Sequence, residues 1–156
     1  MNSLRRAFLK STGTSGAISA LFIAGVLKPG RGFADELQRQ AFTATSFNQA
    51  LKYYGAERSL ESRDILINAA EISENGAQVP IEISSNIPGN QTLAVFVEKN
   101  PMPLAASFSF ANGALPQARI QLKMAETSRI RVIVKTADGK FYHASREIKV
   151  TLGGCG

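Results

Sequence analysis

Cys155 is the only cysteine among 156 residues, and it stands in the run Gly153-Gly154-Cys155-Gly156. A thiol can attack as the thiolate, form a bond to a second sulfur atom, or be oxidised in place. With no second thiol, neither an internal disulfide nor a C-x-x-C redox pair can form. Glycine has no side chain to bury and gives the backbone its greatest freedom, so the run 153–156 is expected as a mobile, solvated tail. Catalysis by this thiol alone would need a structured, electropositive pocket that favours the thiolate. Glycines supply none, and a terminal carboxylate one residue away would oppose it. A prenylated C-a-a-X end is excluded because a single residue follows the cysteine. A lipoprotein cysteine would stand at the other end of the mature chain.

The remaining reactive side chains form no second centre. His143 is the only histidine and alternates with Phe141 and Ser145, as a strand residue would. A blue-copper site needs two histidines and a cysteine together, which this chain lacks. Glu71 and Glu74 flank an expected hairpin and read as solvated. Arg58, Glu61, Arg63 and Asp64 read as a polar entry to the first strand. There is no P-loop, no G-x-S-x-G and no metal-ligand cluster, so no catalytic residue, metal or cofactor is assigned. Phe108 and Phe110 alternate with serines and should face one way; core packing is the first reading and a partner surface the second.

The elements that must carry Cys155 are mainly β. Seven strands are expected near Asp64–Ala70, Val79–Ser84, Thr92–Glu98, Leu104–Phe110, Arg119–Ala125, Ile130–Thr136 and Phe141–Leu152. Apolar residues alternate clearly at Ile120, Leu122, Met124, at Ile130, Val132, Val134 and at Ile148, Val150, Leu152, the mark of strands with one buried face. Asp138-Gly139 should form a type I′ hairpin, and Asn75-Gly76 should join the first pair. Pro88-Gly89-Asn90, Asn112-Gly113 and Asn100-Pro101-Met102-Pro103 punctuate the rest. Ahead of them Ser46 and Gln49 make a capping box, Phe47, Leu51 and Tyr54 one helical stripe, and Gly55 a stop. The expected fold is an immunoglobulin-like antiparallel β-sandwich of about seven strands, with a short N-terminal helix and the C-terminal tail. In it Ile148, Val150 and Leu152 clamp the chain just before the glycines. Cys155 then sits on a lever whose reach from Leu152 is roughly 10 Å.

The N-terminus indicates the compartment. Ser3-Leu4-Arg5-Arg6-Ala7-Phe8-Leu9-Lys10 has the twin-arginine export pattern, followed by an apolar stretch diluted with glycine and serine, Ala17 to Leu27. Gly32 and Ala34 flank Phe33, an A-x-A-like cleavage site before Asp35. Eleven apolar-leaning residues fall short of the roughly 20 needed to span a bilayer, so no membrane anchor is expected. The chain thus divides into a removed signal (1–34), one domain (35–152) and the tail (153–156), located in the periplasm. The formal charge is +6, from 18 basic and 12 acidic side chains. Residues 1–34 hold five of those cations and no acid, so 13 basic against 12 acidic remain afterwards, a net +1. That excludes the basic stripe a nucleic-acid partner would require. A solitary exposed thiol in an oxidising compartment would be oxidised or cross-linked unless a partner shields it or a substrate occupies it.

Four segments together resemble the SoxY family, the sulfur-carrying subunits of bacterial thiosulfate-oxidising Sox systems. They are Val97-Glu98-Lys99-Asn100-Pro101-Met102-Pro103-Leu104-Ala105-Ala106-Ser107-Phe108, Lys123-Met124-Ala125-Glu126-Thr127-Ser128, Ala137-Asp138-Gly139-Lys140 and Val150-Thr151-Leu152-Gly153-Gly154-Cys155-Gly156. The resemblance implies a non-catalytic periplasmic carrier that holds thiosulfate-derived sulfur covalently on Cys155, with Gly153, Gly154 and Gly156 as a slim arm. It also implies a heterodimer with a SoxZ-like β-sandwich subunit, exported together. The transient partners it implies are a c-type cytochrome that loads the cysteine, a di-manganese hydrolase that releases sulfate, and further Sox enzymes. The usual family end has two glycines after the cysteine; here Gly156 alone follows, which should alter partner fit or thiol reactivity. Two other readings remain at this point: a periplasmic interaction module without covalent carriage, and a thiol enzyme acting alone.

Overall fold

The computed structural model describes residues 39–152; the expected signal, 1–34, and the tail, 153–156, lie outside the described residues. The described chain is mainly β, in two sheets. Helix α1 covers residues 39–43 and helix α2 Phe47–Tyr54. Nine strands follow: β1 Leu60–Glu61, β2 Ile65–Ala69, β3 Ile72–Ser73, β4 Val79–Ser85, β5 Asn90–Val97, β6 Leu104–Ser109, β7 Gln117–Leu122, β8 Ser128–Thr136 and β9 Phe141–Val150. One sheet runs β1-β9-β8-β5-β6, with β3 also on β9; the other runs β2-β4-β7.

All seven expected strands are present, and the two additional ones are dipeptides. Both pair in parallel with β9: Leu60 and Glu61 with Tyr142 and His143, Ile72 and Ser73 with Lys149 and Val150. Between them the chain crosses to the other sheet as β2 and returns. Arg146 Nη1 fills the interval by donating to the Ile67 carbonyl at 3.2 Å. These contacts cover the outer edge of β9, which would otherwise present a row of free backbone groups. Asn75-Gly76 therefore does not join β2 to β4 directly, because β3 intervenes. The Asn75 side chain caps the bend there, accepting from the Ala77 N–H at 2.8 Å.

The sheets enclose a core of Ile65, Val79, Ile81, Ile83, Leu93, Val95, Val97, Leu122, Met124, Ile130, Val132, Val134 and Ile148. A second apolar cluster lies on the opposite face of the larger sheet, where Ala94, Phe96 and Ile133 meet Ala41, Ala44, Ala50 and Leu51 of the helical segment. The helices thus form a third layer, and the central strands β5 and β8 are buried on both faces. That is why β5 reads as a continuous apolar run and not as an alternation.

Helix α2 follows its local code. Ser46 Oγ accepts from the Gln49 N–H at 3.4 Å, and Gly55 ends the helix at φ 79°, a left-handed conformation that suits glycine. The stripe Phe47, Leu51, Tyr54 faces the sheet, with the Phe47 and Tyr54 rings edge-on to Phe96 at 6.0 and 5.6 Å. The Tyr54 hydroxyl reaches Thr92 and Ser107 at 3.3 and 3.2 Å, tying the helix to β5 and β6.

The β8–β9 turn differs from expectation. Gly139 is left-handed at φ 79° but Asp138 is not, and the Gly139 N–H donates to the Thr136 carbonyl at 2.9 Å. This is a type I turn closed by a left-handed glycine, not type I′. The Asp138 side chain favours it: hydrogen bonds from Lys140, then from Thr136, lower its pKa to about 2. The type I′ arrangement occurs instead at Asn112-Gly113, both at positive φ, with the Ala114 N–H donating to the Ala111 carbonyl at 3.1 Å. There it carries the chain from β6 in one sheet to β7 in the other.

Candidate functional site

The site is the end of the described chain, at Thr151 and Leu152, three residues before Cys155. Ile148 is fully buried and Val150 packs against the same core. The partner strand β8 begins at Ser128, opposite Ile148, so beyond that point β9 outruns β8 and pairs only with β3. Thr127 takes over as the ladder ends: its Oγ1 accepts from the Val150 N–H at 2.9 Å and donates to the Val150 carbonyl at 3.4 Å. From the other side the segment 71–76 grips the departing backbone. The Lys149 N–H donates to the Glu71 carbonyl at 2.9 Å and the Thr151 N–H to the Ser73 carbonyl at 3.1 Å. Thr151 Oγ1 donates to the Glu74 carbonyl at 3.1 Å, and the Gly76 N–H to the Leu152 carbonyl at 2.8 Å. The Gly76 carbonyl in turn accepts from the Met124 N–H at 2.7 Å, which anchors the clasp to the smaller sheet.

The expected clamp therefore needs one correction. Strand β9 stops at Val150, and the Leu152 side chain is 71% exposed. Backbone hydrogen bonds hold the chain at 151 and 152, because no strand lies opposite Leu152 to bury its side chain. Cys155, Gly153, Gly154 and Gly156 lie outside the described residues. Covalent geometry still limits them: three residues past Leu152, Cys155 can stand no more than roughly 10 Å from it.

No other candidate joins this site. His143 lies seven residues back along β9, roughly 23 Å from Val150 at the usual rise per strand residue. It is partly buried, with Nδ1 3.0 Å from Ser59 Oγ; burial first, then the nearby Arg131 charge, hold its pKa below the ordinary value. Glu71 and Glu74 are exposed, as expected for solvated carboxylates, and Glu71 pairs with Lys149 at 3.7 Å. At such exposure the pair contributes little; the backbone carbonyls of this segment are what hold the chain. Arg58, Glu61, Arg63 and Asp64 are exposed, and Phe108 and Phe110 pack partly against the inner core. Among the described residues no group of three or more His, Cys, Asp or Glu side chains could hold a metal ion, and no helix is long and apolar enough to cross a membrane.

Sequence reasoning missed Thr127, Ser73 and Thr151 as the clasp, since their partners are distant in the chain. It also missed the pair of Arg131 and Glu98, 3.2 Å apart and about three-quarters buried, with the Arg131 guanidinium 5.0 Å over the Phe47 ring. Beside Thr127 opens a cleft of about 230 Å³ lined by Glu98, Lys99, Ser128, Arg129 and Glu147. Its charges are of both signs and present no nucleophile with a base beside it. What the described arrangement does is hold the backbone at 151 and 152, three residues before Cys155.

Comparison with known proteins identifies the family. The family described as "Sulfur oxidation protein SoxY" matches residues 50–155, a span that includes Cys155. The structure of the sulfur carrier protein SoxY from Chlorobium limicola f thiosulfatophilum is similar at 36% identity and a TM-score of 0.62, covering 70% of this chain and 96% of that one. A superoxide reductase (neelaredoxin) from Ignicoccus hospitalis aligns at 19% identity and a TM-score of 0.49, over 56% of this chain and 80% of that one. No curated protein matches.

Proposed function

The chain belongs to the SoxY family, and we propose that it serves sulfur oxidation as a periplasmic carrier, holding thiosulfate-derived sulfur covalently on Cys155. The supporting observation is that the family match runs beyond the clasped residues 151 and 152, through Gly153 and Gly154, to Cys155.

Loading joins the Cys155 thiolate to the outer sulfur of thiosulfate, giving Cys155–S–S–SO₃⁻, and the two electrons released pass to a c-type cytochrome partner. Hydrolysis by a di-manganese partner adds water across the S–SO₃ bond. The sulfonate leaves as sulfate, and Cys155–S–SH remains for further partners. This chain contributes the attachment atom and the tether, while acid, base and metal belong to the enzymes it visits, so it is not itself an enzyme. Residues 153, 154 and 156 add only backbone width around the sulfur, which suits entry into a narrow channel. Attachment also keeps intermediates from diffusing away between successive active sites, an effective-concentration gain. A SoxZ-like β-sandwich subunit completes the carrier as a heterodimer, and the twin-arginine segment exports the pair.

Truncation after Leu152 tests the reading. The shortened chain should keep its melting temperature, because it retains every backbone bond made by the described residues, up to Leu152, and cells carrying it should form no sulfate from thiosulfate. A simple interaction module would retain full activity, and that result would refute covalent carriage.

A further inference from the structure

The sequence holds two asparagine–glycine pairs, Asn75-Gly76 and Asn112-Gly113. Such a pair can modify itself. The glycine amide nitrogen loses its proton and attacks the asparagine side-chain carbonyl carbon. The bond from that carbon to the side-chain nitrogen breaks, and ammonia leaves with the proton. Water then opens the five-membered succinimide at either carbonyl, giving aspartate or isoaspartate. The net change is amide plus water to acid plus ammonia, with no oxidant and no enzyme. Glycine favours the attack because no side chain hinders its nitrogen and its backbone turns freely. In a folded chain the rate depends on whether that nitrogen can swing against the side chain.

The structure sets the two pairs apart. Gly76 is buried; its N–H donates to the Leu152 carbonyl at 2.8 Å, and its carbonyl accepts from the Met124 N–H at 2.7 Å. Asn75 Oδ1 accepts from the Ala77 N–H at 2.8 Å. The Asn75 carbonyl accepts from Ser73 Oγ at 3.1 Å and from the Gln78 N–H at 3.3 Å. Attack there requires the nitrogen to leave Leu152 and the side chain to leave Ala77, which means opening the clasp. Asn112-Gly113 has no such restraint. Residues 111–115 are all exposed, and a Cβ placed on Gly113 would meet no atom within 4 Å. Among the described residues, neither the Asn112 side chain nor the Gly113 N–H has a hydrogen-bond partner. The bond from the Ala114 N–H to the Ala111 carbonyl, 3.1 Å, is what closes the turn. We infer that Asn112 is a site of spontaneous deamidation, and that the clasp holding residues 151 and 152 also preserves Asn75 as the amide. Conversion at Asn112 puts a new carboxylate into the β6–β7 connection, and as isoaspartate an extra main-chain carbon. At Asn75 the same change would lengthen the chain inside the clasp. The inference stands apart from the reading of Cys155.

The test follows the purified full chain in warm, mildly alkaline buffer, which promotes loss of the amide proton. Peptide masses taken over time show each amide-to-acid conversion, and separation of the products distinguishes aspartate from isoaspartate. The same chain in urea, where neither pair is held, supplies the reference rate for each. On folding, Asn112 should keep most of its unfolded rate, while Asn75 should slow about tenfold or more, since its reaction waits on local opening. Deleting residues 152–156 removes the carbonyl that holds the Gly76 N–H. That should speed Asn75 about fivefold, the worth of one backbone hydrogen bond, and leave Asn112 unchanged. If the shortened chain unfolds early, hydrogen exchange in the intact chain, slow at the Gly76 N–H and fast at Gly113, gives the same comparison. An Asn112 slowed as much as Asn75, or one that stays an amide in both states, overturns the site. An Asn75 that keeps its unfolded rate in the folded chain, or that the deletion leaves unaffected, overturns the part assigned to the clasp.

Discussion

Replacing Cys155 with serine is expected to abolish sulfate formation from thiosulfate while leaving the fold as it was. Only one atom changes, yet that atom is the only thiol in the chain. A serine hydroxyl stays protonated in the pH range where a thiolate forms, and its oxygen cannot make the sulfur–sulfur bond on which loading depends. Stability should move by no more than about 0.5 kcal/mol, as for surface substitutions generally, because every described residue of both apolar clusters precedes position 151. Cells carrying Cys155→Ser as their only copy, assayed for thiosulfate consumed and sulfate produced, give the readout. Sulfate formed at the normal rate would mean the sulfur travels by another route.

Phe96→Ala is the substitution expected to cost most stability. Phe96 is fully buried on the helix-facing side of β5, where the Phe47 and Tyr54 rings meet it edge-on. Truncating a buried phenylalanine costs about 3–5 kcal/mol, through lost transfer energy and the cavity left behind. Losing two edge-on ring contacts belongs at the upper end of that range. Against a typical total of roughly 5–15 kcal/mol, such a loss leaves the domain marginal. Urea unfolding should show the midpoint falling sharply. A cost below about 1 kcal/mol would mean that the helices do not pack as a third layer. The folded fraction should still carry sulfur normally, since Phe96 lies on β5 and the clasp is made by residues 71–76, Thr127 and β9.

What could be read from the sequence and what could not divide along physical lines. Helix α2 was legible to the residue, from Ser46 to Gly55, because capping and the 3.6-residue stripe are local signals. The seven longer strands were legible from their turns and β-branched content. The dipeptide strands β1 and β3 were not, since two residues carry no periodicity and their parallel partners lie about 80 residues away in the chain. The double burial of β5 and β8 was hidden for a related reason: an apolar run does not say that a helix covers its second face. Asp138-Gly139 was read as type I′ from its dipeptide alone, whereas Thr136 and Lys140 hold Asp138 in a type I turn. The alternation through Ile148, Val150 and Leu152 was extended one step too far. Period two reports a buried face only while paired strand continues alongside, and β8 begins only at Ser128, opposite Ile148.

For the candidate site, the sequence marks Cys155 as the proposed attachment atom but does not mark the backbone contacts that hold residues 151 and 152. A solitary thiol among glycines limits the chemistry through residue types alone. The clasp uses backbone carbonyls of Glu71, Ser73 and Glu74, which no side-chain pattern announces.

The most direct measurement is the mass of the C-terminal peptide from wild-type chain isolated from cells growing on thiosulfate. Covalent carriage predicts a series on Cys155, from the free thiol through the persulfide to the S–S–SO₃⁻ adduct, with both adducts converted to the free thiol by a thiol reductant. A peptide carrying only free thiol during active thiosulfate oxidation would contradict it.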